Sequence, residues 1–225
     1  MKKIVCLKWI LPGILLLGSV AHVSAQTLMP NITINATRLQ SSVIFRTAQF
    51  KPTDCAVVEG CVSGVGKRRL MKFDVQTPNI GTADLVLGSP INNPAFIFSP
   101  CHGHYHLEGY AVYELLLPNG AAVVVNGMKV VGHKQAFCLE DYEPWYANAG
   151  QAKYTCDYQG ISMGWSDTYG SYLDCQWIDV TGVPVGNYLL RVTINGGPNG
   201  SHVFQESNYT DNVATVPVTI PRHFQ

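Results

Sequence analysis

Apolar and polar positions alternate along this chain in short runs, and each run ends in turn residues. Residues 70–76 alternate, with Leu70, Phe73 and Val75 prominent. Residues 83–87 form a second run after Pro78, Asn79 and Gly81, and residues 110–117 a third, ending at Pro118-Asn119-Gly120. Residues 121–125 lead into Asn126-Gly127, a dipeptide suited to a two-residue hairpin turn, and the pattern resumes over 129–132. Residues 188–194 lie between Gly186 and Gly196-Gly197-Pro198; in the last run, 213–220, Pro217 restricts the strand to a sheet edge. No stretch keeps a 3.6-residue apolar period for three turns. The pattern predicts an all-β domain with an antiparallel β-sandwich core and long loops. Residues 26–53 read as a polar strand-and-loop lead-in to a main domain over 54–225.

Composition narrows the class. Apolar residues make up 47% of the 225 positions and charged residues 13%, which excludes a disordered chain. The sequence starts with Lys2, Lys3 and Lys8, an apolar run from Trp9 to Leu17, and Val23-Ser24-Ala25 ahead of Gln26. That order predicts a cleaved export signal over 1–25 and a secreted or periplasmic product. The apolar run is too short to span a bilayer comfortably. Without the three leader lysines, the rest has 12 basic against 15 acidic residues. This balance leaves no electrostatic footprint for nucleic acid or an anionic membrane.

Six cysteines lie beyond the leader: Cys55, Cys61, Cys101, Cys138, Cys156 and Cys175. An even number in an exported chain predicts three disulfides, with 15 possible connectivities. Sequons begin at Asn31, Asn35, Asn199 and Asn208; they are read as ordinary polar loop positions.

The most concentrated chemistry lies in Cys101-His102-Gly103-His104-Tyr105-His106, which holds three of the six histidines beyond the leader. In extended backbone, alternate side chains share a face with Cα atoms ~7 Å apart. A small bend, eased by Gly103, lets His102, His104 and His106 converge on one ion, while Tyr105 turns the other way into packing. Three imidazoles with open positions suit zinc or copper and disfavour calcium and magnesium. Zinc would point to hydrolysis through a bound hydroxide, and copper to dioxygen or redox chemistry.

From about Cys55 to Asn212 the sequence resembles the catalytic domain of the lysyl oxidase family. The matching stretches are Gly81-Thr-Ala-Asp84, Cys101-His-x-His-Tyr-His106, His133-Lys134, Ala136-Phe-Cys-Leu-Glu-Asp141, Gln159-Gly160, Asp167-Thr-Tyr-Gly170, Asp174-Cys-Gln-Trp-Ile-Asp179, Pro184-x-Gly-Asn-Tyr188 and Glu206-Ser-x-Tyr-Thr-x-Asn212. The resemblance implies a copper amine oxidase that converts primary amines, notably peptidyl lysine, to aldehydes using dioxygen. It implies Cu(2+) on His102, His104 and His106, and a lysine tyrosylquinone cofactor self-made from Lys134 and Tyr169. Asp167 would be the base. It also implies the disulfides Cys55–Cys61 and Cys101–Cys156. Cys138 and Cys175, whose family partners have no counterpart here, are then expected to bond to each other and draw the Lys134 and Tyr169 segments together.

The chain departs from the family in three places. The tryptophan-rich approach to the histidine run is here Ala95-Phe-Ile-Phe-Ser-Pro100. A family histidine is absent near Val112, and the family's C-terminal disulfide segment is not present. The rival expectations are a non-enzymatic copper- or zinc-binding protein on the same scaffold, and a zinc hydrolase.

Overall fold

A computed structural model describes residues 27–132, 138–196 and 201–224. The proposed leader, His133, Lys134 and Asn199 lie outside the described residues. The described chain is all-β, built from antiparallel sheets with two short helices.

The largest sheet has four strands in the order Val131–Gly132, Ala111–Leu116, Gly186–Ile194 and Val213–Ile220. Its outer pair shows the period-two code that the sequence carries. Tyr188, Leu190, Val192 and Ile194 are buried on one strand, and Ala214, Val216, Val218 and Ile220 on the other. Their alternate neighbours face outward, so one sheet face is apolar and seals the core. Pro217 lies opposite Leu189 on the edge strand, where its missing N–H breaks no ladder bond to a further strand. The Asn126-Gly127 turn joins Val124–Val125 to Met128–Lys129 with Val125 opposite Met128, as the dipeptide predicts.

A three-stranded sheet pairs Ile44–Phe50 with Gly66–Lys72 and then Trp177–Asp179. The run expected over 70–76 divides at Phe73 and Asp74. Lys72 ends one strand, and Val75–Pro78 begins another that pairs with Trp165–Tyr169. Phe73 is fully buried at this corner, edge-to-face with Tyr113 at 5.0 Å.

The main hydrophobic cluster runs from Ile32 and Leu39 through Phe73, Tyr110, Leu115 and Tyr169 to Leu190 and Ile220. A smaller one gathers Ala56, Val62, Leu70 and Trp177 around Cys61 and Cys175. Two of the sequon asparagines serve the fold directly. Asn35 caps the Ala36–Ser41 helix through Arg38 N–H, and Asn31 is buried and donates to Asp211 at 2.9 Å. Buried Glu206 accepts from the Ile32 amide at 2.7 Å and from the Asn195 and Asn212 side chains, each at 2.6 Å. These bonds clamp the 29–34 segment onto the 195–212 segment.

The disulfides correct the expected pairing. Cys55–Cys61, Cys101–Cys156 and Cys138–Cys175 are replaced by Cys55–Cys101, Cys61–Cys175 and Cys138–Cys156. The short Cys55–Val58 helix and the turn after it direct its flanking cysteines apart. Cys55 comes within 5.6 Å (Cα–Cα) of Cys101 on the histidine hairpin, and Cys61 within 5.3 Å of Cys175 in the smaller cluster. Cys138 meets Cys156 because the two segments are already laced together. Leu139 N–H donates to Gln159 Oε1, and Gly160 N–H to the Leu139 carbonyl. No bridge joins Cys138 to Cys175, so the expected means of drawing the Lys134 and Tyr169 segments together is absent.

Candidate functional site

The histidines lie on a hairpin of two four-residue strands, Phe96–Ser99 and His104–Leu107, with Ser99 opposite His104 and Phe96 opposite Leu107. The expected period of two holds for His104 and His106, which share the second strand. His102 belongs to the turn instead. Its amide donates to Ser99 Oγ at 3.2 Å, and Gly103, at φ +72°, donates its amide to the Ser99 carbonyl at 2.8 Å. That left-handed step suits glycine and brings His102 back over the strand. Tyr105 points to the opposite side, packs on the main cluster and meets Phe98 edge-to-face at 5.2 Å.

The three imidazoles converge. Ring centroids are 4.9 Å apart for His104 and His106, 5.6 Å for His102 and His106, and 5.8 Å for His102 and His104. An ion held by three imidazole nitrogens at 2.0–2.1 Å would set centroids roughly 5 Å apart, so the donor set fits a transition metal with little movement. His106 is buried, and the Nε2 atoms of His104 and His106 are shielded from solvent. Among the described residues, carboxylates also gather near sulfur at Glu59 with Cys61 and Cys175, and at Glu140 with Cys138 and Cys156. Those sulfurs are joined in disulfides and offer no thiolate.

Glu59, which the sequence did not single out, touches the hairpin. Its Oε2 lies 2.7 Å from His102 Nε2, and its Oε1 accepts from Ser99 Oγ at 2.5 Å. Burial alone would raise this carboxyl, but its hydrogen bonds with Ser99 and His102 outweigh it and hold Glu59 below the usual carboxylate range. The only local signal is an acid between two cysteines, which names no partner.

Tyr169 closes the Trp165–Tyr169 strand and is buried in the main cluster, its ring 6.2 Å from that of Tyr110. Its hydroxyl donates to the Cys138 carbonyl at 3.3 Å. Burial, together with the neighbouring Asp167 carboxylate, raises its phenol well above the ordinary range. Asp167 is buried two residues earlier and accepts from the Thr168 amide at 2.7 Å. Loss of water pushes its carboxyl up to about 7, even though the Tyr169 hydroxyl opposes the shift. Tyr169 and Asp167 therefore come together. Phe96 and Leu107, at the base of the histidine hairpin, belong to the same hydrophobic cluster as Tyr169. Val112, near the position of the missing family histidine, stands on the Ala111–Leu116 strand opposite Thr193, with its side chain largely exposed.

The lysyl oxidase family model matches residues 30–224, a span that takes in the hairpin, the Tyr169 strand and all three disulfides. The chain belongs to the lysyl oxidase family. Lysyl oxidase homolog 2 of Bos taurus is 37% identical over 206 residues, covering 86% of this chain and 25% of that protein. The Danio rerio lysyl oxidase homolog 2A is 36% identical over 205 residues, covering 86% of this chain and 26% of the relative. Protein-lysine 6-oxidase of Homo sapiens is 32% identical over 205 residues, covering 87% of this chain and 46% of the human protein. The chain thus spans between a quarter and just under half the length of these family members. Among the described residues, no helix is long and apolar enough to cross a membrane.

Proposed function

We propose that this chain is an exported copper-dependent amine oxidase. It converts primary amines, lysine side chains of proteins among them, to aldehydes with dioxygen as oxidant, releasing ammonia and hydrogen peroxide. The observation that carries this reading is the convergence of three imidazoles on a hairpin rooted in the same hydrophobic cluster as Tyr169, in a member of the lysyl oxidase family. The same reading makes residues 1–25 a cleaved export leader, 26–53 a lead-in and 54–225 the working domain.

His102, His104 and His106 would hold the copper. When bound, copper would supply dioxygen chemistry, and a quinone derived from Lys134 and Tyr169 would supply the electrophilic carbonyl and the electron sink. The protein's own residues prepare that chemistry. The main cluster excludes water from the Tyr169 ring, and the Cys138 carbonyl orients its hydroxyl. Asp167, pushed up to about 7, can take a proton near neutral pH and release it again. The Lys134 ε-amine would serve as the nucleophile that joins the tyrosine ring. The described chain meets the Lys134 segment at Gly132 on one side and at Cys138 on the other.

The test is aerobic copper loading, hydrazine labelling and peptide mapping. The wild-type protein is expected to yield a cross-linked Lys134–Tyr169 peptide and copper-dependent peroxide release from primary amines that zinc does not support. Lys134→Arg and Tyr169→Phe should abolish labelling and peroxide while leaving copper affinity within about threefold. A copper-replete wild-type protein without the cross-link would instead be the non-enzymatic metal-binding protein. A reaction supported by zinc and water would make it a hydrolase.

A further inference from the structure

We propose that Glu59 is the positioning residue of the histidine hairpin. Its carboxylate sets the tautomer of His102, so that Nε2 carries the proton and Nδ1 is the nitrogen offered to the metal. The inference rests on the copper-site reading above and assigns a role to a residue outside the histidine run.

The hydrogen bonds form a closed ring. Ser99 Oγ donates to Glu59 Oε1 at 2.5 Å, and His102 Nε2 lies 2.7 Å from Glu59 Oε2. The His102 backbone amide donates to the same Ser99 oxygen at 3.2 Å. An ionised carboxylate has only lone pairs to offer, so the nitrogen facing it must be the donor. A neutral imidazole with its proton on Nε2 has its free lone pair on Nδ1. A carboxylate on the distal N–H also makes the ring a stronger donor to a metal and fixes its rotation. The His102 and Glu59 side chains are only 10% and 23% exposed, so water screens the contact weakly.

The backbone holds Glu59 in place from both sides. Four residues before it, Cys55 is bonded to Cys101, the immediate neighbour of His102. Two residues after it, Cys61 is bonded to Cys175 in the smaller cluster. The Glu59 amide donates to the Cys55 carbonyl at 2.8 Å and closes the short helix. Gly60 then turns away at φ +72°, with nothing within 4 Å of where a Cβ would stand, so glycine is required there for its backbone angle and not for space. A packing role would be served by an apolar side chain. Here both oxygens of a charged group are committed to atoms of the metal hairpin.

The experiment compares full-length wild type, Glu59→Ala and Glu59→Gln. Copper affinity is read by competition with a chromophoric chelator. The His102 tautomer is read from long-range proton–nitrogen spectra of zinc-loaded, 15N-histidine-labelled protein, with His102→Gln to assign the signals. Glu59→Ala is expected to weaken copper binding 10- to 100-fold and to lose the single Nε2–H form of His102. Glu59→Gln keeps an accepting oxygen, so it should restore the tautomer and bring affinity within about fivefold of wild type. A merely structural Glu59 would lower the melting temperature without moving the tautomer. Wild-type affinity and tautomer in the alanine variant would overturn the proposal, as would a wild-type His102 protonated on Nδ1. A wild-type chain that takes up no copper on nitrogen ligands would overturn the copper-site reading itself, a result distinct from either of these.

Discussion

The histidine hairpin draws three imidazoles from five consecutive residues, whereas the surroundings of Tyr169 gather Val75–Pro78 and the 138–144 stretch, with its Cys138 carbonyl and Glu143–Pro144 strand, from two distant parts of the chain. Among the described residues the hairpin strands pair only with each other, tied to the body by Cys55–Cys101, by Glu59 and by the packing of Phe96, Leu107 and Tyr105. Tyr169 is a core residue, and it and Asp167 are both buried, with Tyr169 part of the main hydrophobic cluster. The hairpin's side chains can therefore change its ligand chemistry at little cost to the fold. Any change near Tyr169 alters stability and chemistry together.

Three perturbations test that contrast. The largest effect is expected from His104→Ala, which leaves two imidazoles where there were three. Copper affinity should fall at least 100-fold while the apo melting temperature stays within ~2 °C of wild type, measured by metal analysis after gel filtration and by thermal unfolding. A large loss of apo stability would show that the hairpin is part of the core after all. The next effect is structural. Removing Cys61–Cys175 as the paired alanine variant releases a closure of 114 residues beside the smaller cluster and should cost about 2–5 kcal/mol in denaturant unfolding.

The smallest effect is a pH dependence. Asp167 has its folded carboxyl raised to about 7, against ~3.9 in an unfolded chain, chiefly because it is buried. The folded state then holds a proton that the unfolded state releases, so Asp167 makes stability fall as pH rises from about 4 through 7. Asp167→Asn removes that dependence. Its melting temperature relative to wild type should rise by several degrees between pH 4 and pH 8. A constant difference across that range would show that Asp167 does not titrate in the folded protein.

The same contrast explains what could be read from the sequence. The all-β class, the edge strand with Pro217 and the Asn126-Gly127 hairpin follow from local spacing, and local spacing also marks the histidine run. Even there, the step that puts His102 in the turn depends on Gly103 and Ser99 together, which a period-two pattern does not encode. The disulfide partners were not legible, because Cys61 and Cys175 are brought together by the pairing of two separate strands, one carrying Leu70 and the other Trp177. Glu59 was invisible for the same reason: its partners lie 40 and 43 residues away, and only the folded backbone brings them to it.

Glu206 shows how distance along the chain becomes order in time. Its Oε2 takes the amide of Ile32, 174 residues earlier, and a neighbouring contact joins Asn31 to Asp211 across 180. A chain delivered from its N-terminus exposes the Ile32 amide long before its acceptor exists. The first segment can pair early with residues 76–83, but its anchorage to Glu206 and Asp211 must wait until almost the whole polypeptide has emerged. Closure of this clamp is a late event with a high entropic demand, and assembly of the domain should be slow and concentrated at the end of delivery. On the export reading proposed above, that delay is useful: a polypeptide that cannot finish folding on the near side of a membrane stays threadable until it is across.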